Sequence, residues 1–490
     1  YTDDWGDGGF SFEVIVNGYT IATFDGIGLG ATFTFNASEP SQYDLSVFGS
    51  NLYQYINIGT YTIQADIFNA GTETITSFDL NYTVNGGDTI TSSFSGESLA
   101  NYESDHFTHP IPMEIPSLGV YTIDIWASNP NGNEDENGDN DLYSTQVEAG
   151  PGTQNIIDEY IGSEVTIEVI ADSDDDINNP TDLDFHPILS NKELWVINKD
   201  TETTGGSTVT IYNAGESDQD SEWKRDGNAW HFMSLPTGIA FSNNGNFANS
   251  PGVYDANHNG GGAFTGPALW SSDMSIYAEP SGGNGSHLDM LHVSPYSQGI
   301  AAENDNVFWV FDGYNDDIVR YDFAEDHGPG NSYHGDALIR RYSDDEVSKD
   351  PNDEIVSHLV LDSAKQWLYI VDHGNDRVIR IDITTGEEDG IPSYGPFEEV
   401  EEYSYYTGYT QEDVVTTGLD KPCGIDIIQD RMIVSEFESG QIKIYNISTM
   451  PATLLDSIST NYSSLQGIKI GPNGYIYGVD YDCLLYTSPS

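Results

Sequence analysis

Short apolar runs alternating with polar residues recur along the chain: FSFEVIVNG and YTIATFDG near the start, ITSFDLNYTV further on, NVFWVFDGYNDDIVRYD and KQWLYIVDHGNDRVIRIDI later. Period-two alternation puts successive side chains on opposite faces of a strand, and the Asn, Asp and Gly between runs supply tight turns. Few stretches carry the i, i+3, i+4 rhythm of a helix. The pattern predicts an all-β protein.

The alternation is also periodic on a larger scale. SQGIAAENDNVFWVFDGYNDDIVRYDF, residues 297–323, joins a Gly-Ile start, an apolar strand, an Asp-Gly-Tyr-Asn turn and an alternating strand. Copies of this unit begin near 181, 236, 298, 357, 422 and 465, spaced roughly 45–65 residues apart, in the range of propeller repeats. The expected fold is therefore β-sandwich modules followed by a six-bladed β-propeller. The inner-strand starts align as Asp182, Gly238, Gly299, His358, Gly424 and Gly467, where small residues let strands crowd a narrow channel. Trp195, Trp309 and Trp367 recur at matching points, which favours packing between blades. The alternating run Val165 to Val169 is expected to pair with the last blade and remove its open edge. The chain ends inside that blade, which is expected to be truncated. The terminal run CLLYTSPS breaks the Asn/Gly-rich acidic style and reads as a non-native tail over 483–490.

Ahead of the repeats, 1–40 read as a partial β-sandwich module with strands FSFEVIVNG, YTIATFDG and ATFTFNAS and a hairpin turn at Asn17-Gly18. Residues 43–148 read as a second sandwich, with turns at Asn69-Ala70-Gly71-Thr72 and Asn85-Gly86-Gly87. Gly150-Pro151-Gly152 interrupts the periodicity, giving a linker over 149–162 and a propeller over 163–482.

Two segments carry family resemblances. DHGNDRVIRID resembles the NHL repeat, in which an Asp-x-x-Asn-x-Arg turn leads into the outer strands; DGYNDDIVRYD keeps the frame with Asp317 in place of the Arg. Residues 43–148, with the ending Asn131 to Asp141, resemble the cell-adhesion-related, immunoglobulin-type CARDB domain. That resemblance implies an exported adhesive or spacer module. The opening YTDDWGDGG resembles the Asp/Gly-rich turn of secreted surface proteins, where Asp3, Asp4 and Asp7 would hold calcium; a plain acidic turn is the simpler reading.

Charge narrows the partners. Lys+Arg 15 against Asp+Glu 80 gives a formal net charge of -65, which opposes binding to nucleic-acid phosphates and to anionic membrane surfaces. No run reaches the roughly 18 apolar residues of a transmembrane segment. The chain has neither an initiating Met nor a signal-like apolar region, so it reads as a fragment or mature form. The acidity, the adhesion-like module and the Asp/Gly-rich opening turn together resemble proteins of Gram-negative bacteria exported by type IX secretion, which implies an extracellular or cell-surface protein. Of the two cysteines, Cys423 reads as a small buried hydrophobe, and no disulfide is inferred.

Candidate chemistry lies in the loops. A peptidyl-hydroxyglycine amidating lyase would place histidines just before the inner-strand glycines, where this chain has Thr181, Thr237, Gln298, Ser357, Cys423 and Gln466. A gluconolactonase-type channel would need more than Asp182, Asp184 and Asp426. Histidine concentrates instead in GGNGSHLDMLHVSP (His287, Asp289, His292) and EDHGPGNSYHGD (Asp326, His327, His334, Asp336), with His358 at the next blade's inner start. Imidazole with carboxylate is the ligand set of zinc and similar metals, although hydrogen-bonded loop histidines are the plainer reading. Asp135, Asn137, Asp139 and Asp141 have the alternate-oxygen spacing of a calcium loop, against the plainer reading of an acidic hairpin end. His106, His109, His186 and His231 read as structural. No nucleophile-base pair stands out. The sequence thus points to a binding or adhesion protein whose partner is a protein, glycan or small molecule, with a metal-dependent hydrolase or lyase as the alternative.

Overall fold

The computed structural model describes residues 10–16, 19–27, 41–52, 55–56, 58–101, 103–138, 140–149, 155–188, 191–279, 282–343, 347–350, 354–482 and 484–488. Strands dominate, and the chain divides into two compact units, Tyr1–Gly152 and Thr153–Ser490. Among the described residues no helix is long and apolar enough to cross a membrane.

The first unit is a sandwich. Tyr55–Ile56, Leu142–Ala149, Gly119–Ser128, Ile75–Val84 and Ile90–Leu99 form one sheet in that order, while Leu45–Ser50, Gln64–Asn69 and Ser104–Thr108 form another. Alternation decides the buried face: Tyr121, Ile123, Ile125 and Ala127 point inward from one strand, and Ala65, Ile67 and Phe107 meet them from the other sheet. Phe107 packs edge-on against Phe78 at 4.7 Å between ring centres. The turn after Val84 uses positive φ at Asn85 and Gly86, as its residue types predict. Phe10–Val16 and Tyr19–Ile27 pair as an antiparallel hairpin. Asp3, Asp4, Asp7, the Asn17-Gly18 turn and the expected strand Ala31 to Ser38 lie outside the described residues.

Among the described residues the second unit holds six sheets, numbered here by their innermost strands: Pro180–Phe185, Pro236–Phe241, Ser297–Asn304, Leu359–Asp362, Pro422–Ile428 and Leu465–Ile470. These strands neighbour one another in sequence order. Thr181 Oγ1 donates to Pro236 O (3.0 Å), Thr237 Oγ1 to Gln298 O (2.7 Å), Gly299 N to Ser357 O (2.8 Å) and His358 N to Cys423 O (3.1 Å). Ile470 N donates to Asp426 Oδ2 (2.7 Å), and Gly467 lies against Asp182, so the sixth strand adjoins the first. The propeller-like arrangement explains the small residues. A Cβ at Gly299 would fall 2.5 Å from His358 Cα, and one at Gly424 2.5 Å from Gln466 O. The channel carboxylates staple the ring: Asp182 Oδ2 accepts from Ile239 N (3.0 Å) and Asp184 Oδ2 from Phe241 N (2.8 Å). Half-buried Lys469 lies 3.5 Å from the half-buried Asp184, which offsets part of the cost of desolvating that carboxylate.

Between sheets the core is aromatic. Trp195 of the first sheet is fully buried against Phe241, Phe247 and Tyr277, and Trp309 of the third packs into a cluster with Leu359, Leu368 and Ile370 of the fourth. The third sheet carries two further strands, Glu402–Thr407, parallel to Leu338–Tyr342, and Glu387–Glu388.

The sixth sheet has four strands. Leu484–Ser488, in the run expected to be a tail, pairs with Ile476–Asp480 on one side and Glu168–Ala171 on the other. The early strand pairs with the last sheet as expected, a few residues beyond Val165. Leu485 and Thr487 are buried there because alternation turns them into the core.

The Asp-x-x-Asn-x-Arg turn is visible in the fourth sheet, where Asp372 Oδ2 accepts from Asn375 Nδ2 (2.9 Å) and Arg377 Nε (2.6 Å). In the third sheet Asn315 Nδ2 donates to Asp312 Oδ2 (2.7 Å), but Asp317 stands where the Arg would be. The missing cation arrives from the next strand. Fully buried Arg341 pairs with Asp312 and with Asp317 (Nε to Oδ2 3.0 Å, Nη2 to Oδ1 2.6 Å).

Candidate functional site

Asp289 lies on the outermost strand of the second sheet, Asp289–Met290. The connection from Asp322 to Leu338 in the third sheet folds back on this edge, where His327 N donates to Leu288 O (3.2 Å) and Gly330 N to His287 O (2.9 Å). The loop thereby carries His327 and His334 to Asp289, and one ligand atom from each of the three lies within 4.8 Å of the others. His334 Nδ1 is 2.6 Å from Asp289 Oδ1. His327 Nδ1 bonds Gly328 O at 2.8 Å, which leaves Nε2 as its lone-pair nitrogen. That Nε2 and Asp289 Oδ2 are both buried without a partner.

Electrostatics follow from burial. Burial pushes the Asp289 carboxyl above the ordinary carboxylate range, against the hydrogen bond and charge of His334. Burial lowers His327. It also works against His334, but the Asp289 hydrogen bond and charge win and raise it.

The other histidines of the expected set are placed differently. His287 borders the cluster, its ring 5.0 Å from that of His327, but it stacks on Phe232 at 3.6 Å and spends Nδ1 on Asn284 O (2.9 Å); burial takes it down to about 3. His292 pairs with Glu398 (3.2 Å) and stacks on Phe264 at 4.0 Å. His358 stands on the inner ring, 3.4 Å from Asp182, with its Nε2 buried and unpartnered. The triad therefore sits at the outer edge of the second sheet, away from the central channel. Glu398 gave no signal in sequence because it lies 106 residues from His292.

One end of the channel is covered. Glu354 to Ser357 run across it: Ser357 N donates to Gln298 Oε1 (3.4 Å), Val356 N to Gln466 Oε1 (3.3 Å) and Gln466 Nε2 to Glu354 O (2.9 Å). Ile355 and Val356 are buried there with Cys423.

Beside it lies a set of aromatics without a sequence motif. Pairing of Ser297 with Asp312 and of Pro236 with Pro251 puts Tyr254, Tyr296 and Tyr314 at the same end of the second and third sheets. Tyr254 meets Tyr296 at 5.7 Å and Tyr314 at 5.2 Å between ring centres. Tyr296 and Tyr314 are 40% and 49% exposed, while Tyr296 N is anchored on Val253 O (2.8 Å).

In the first unit, Asp135 and Asp141 are joined by Asp44, which sequence distance had hidden. Asn140 Nδ2 donates to Asp44 Oδ1 (2.9 Å), while Leu45 N and Asn137 N donate to Asp135 (2.8 and 3.0 Å). Burial, then the charges of Asp135 and Asp44, push Asp141 up to about 7. Asn137 contributes its backbone to Asp135, and Asp139 lies outside the described residues.

No protein-family model matches the chain, and no curated protein does. Among solved structures, an auxiliary nutrient binding protein from Bacteroides ovatus is similar at 12% identity, covering 91% of this chain and 98% of that one with a TM-score of 0.41. The WD40 beta propeller domain of Doa1 aligns at 10% identity over 91% and 97% with a TM-score of 0.36. The CARDB domain of a Pyrococcus furiosus protein in complex with di-metal ions aligns at 18% identity over 22% of this chain and 94% of that one, with a TM-score of 0.18.

Proposed function

We propose that this chain is an exported or cell-surface binding protein of a Gram-negative bacterium. In this reading a CARDB-like sandwich over 43–148 acts as spacer and adhesive module, and an NHL-like six-bladed propeller over 163–482 acts as the binding platform. The observation that carries it is the tyrosine group Tyr254, Tyr296 and Tyr314, two of whose rings are open to solvent at one end of the second and third sheets. Flat rings with hydroxyl rims suit the alternating apolar and hydroxyl faces of a sugar. A net charge of -65 disfavours acidic partners and leaves neutral glycans unaffected. The staples that Asp182, Asp184 and Asp426 form between strands occupy the channel acids structurally.

The test is titration calorimetry against a panel of neutral oligosaccharides, using the whole chain and a Tyr296→Ala/Tyr314→Ala variant. Binding that weakens at least about tenfold in the variant supports the reading, since stacked aromatic contacts contribute on the order of 1 kcal/mol each. No binding to any neutral glycan, or equal binding by both proteins, overturns it. A second reading, a metal-dependent hydrolase or lyase, draws on Asp289, His327 and His334; turnover abolished by His327→Ala with the fold retained would favour it.

A further inference from the structure

From the geometry at the outer edge of the second sheet, we infer that Asp289, His327 and His334 form a binding site for one zinc-type divalent metal ion. The site clamps the loop between Asp322 and Leu338 to the outermost strand of the neighbouring sheet. This does not rest on the glycan reading, which concerns the opposite end of the sheets: Asp322 pairs with Val307 and Leu338, whereas Tyr314 follows Asp312.

Four observations converge. The ligand atoms already share a sphere small enough for one ion, all within 4.8 Å. The carboxylate is on a strand and fully buried, with one oxygen unpartnered, an arrangement that is costly for an isolated acid and relieved by a cation. His327 is oriented for ligation: its Nδ1–H donates to Gly328 O, so the lone pair on the buried, unpartnered Nε2 faces away from that bond. The loop is braced before any ion arrives, by His327 N to Leu288 O, Gly330 N to His287 O and Asn331 Nδ2 to His327 O (2.6 Å).

The donor set selects the metal class. Two imidazole nitrogens and one carboxylate suit zinc, cobalt, nickel or copper, whereas calcium and magnesium prefer all-oxygen shells. Three protein ligands leave at least one coordination position for water or a small anion. Among the described residues only Asp289, His327 and His334 bring ligand atoms within 4.8 Å of one another, while the neighbouring His287 stacks on Phe232 and His292 on Phe264.

Chelator-stripped full-length protein titrated with cobalt chloride is expected to develop visible d–d absorption saturating at one equivalent, which zinc chloride then displaces. His334→Ala and His327→Ala are each expected to lower apparent zinc affinity more than about 100-fold, while His292→Ala keeps it. Zinc is expected to raise the melting temperature of the wild type and not of His334→Ala. Absence of the cobalt spectrum in stripped wild type overturns the inference without any variant having to fold. So does affinity unchanged in a folded His327→Ala/His334→Ala protein.

Discussion

Replacing Arg341 by methionine keeps most of the side-chain volume and removes the cation that bridges Asp312 and Asp317. Arg341 and Asp312 are fully inaccessible and Asp317 is nearly so. The change also removes the donor to Val293 O (2.8 Å). Asp312 keeps hydrogen bonds from Tyr314 N, Asn315 N and Asn315 Nδ2, so the strain falls on Asp317. Breaking a buried pair from one side costs about 3–5 kcal/mol, and that is the loss expected at pH 8. Burial already pushes the Asp317 carboxyl up against the pull of Arg341. Without Arg341 it rises further, so the folded variant binds a proton that its unfolded chain releases. Its deficit should therefore shrink as the pH falls from 8 to 5. A second variant, Asp317→Arg/Arg341→Met, moves the cation to the position Arg377 occupies in the fourth sheet and should recover most of the loss. Urea unfolding followed by fluorescence of the protein's tryptophans, which include buried Trp309, at pH 5 and 8 reads all three proteins. An Arg341→Met loss under about 1 kcal/mol at pH 8, or no recovery in the double variant, would refute the compensation argument.

Two further outcomes concern titration. Burial, then the neighbouring His292, takes His231 down to about 4, so the fold requires it neutral. Stability is then lost as pH falls below 6.5, by roughly 2 kcal/mol at pH 5. His231→Gln should flatten that part of the pH–stability curve, and an unchanged slope would count against it. Asp141, raised to about 7, acts with the opposite sign, because its folded form holds a proton that the unfolded chain gives up. Asp141→Asn should raise the melting temperature of the sandwich at pH 7.5 and leave it unchanged at pH 4; equal effects at both would exclude an ionisation cause.

The sheets were legible because each copy repeats the same local chemistry: a small residue where inner strands crowd, then an apolar strand, a turn and alternation. Glu402–Thr407 was not legible, because EEDGIPSYGPFEEVEEYSYYTGYT lacks alternation, and parallel pairing with Leu338–Tyr342 leaves no local signal. Of the histidine set, Asp289, His327 and His334 lie together. His358 and His292 do not, since the sequence does not say which sheet edge or which distant carboxylate a side chain will meet. Asp44 and Glu398 were missed for the same reason, and Arg341 because its role is normally filled five residues after the first Asp.

The contact between Asp182 and His358 has a consequence for how this chain can change over generations. Four of the six inner-strand starts are glycine, and the two that are not lie three repeats apart, facing each other across the ring. Duplicating or deleting one repeat would separate the two, leaving the buried imidazole without its acid while Asp182 keeps its bond from Ile239 N. The pair thus marks a fixed repeat number, and growth or shrinkage of the array would favour replacing His358.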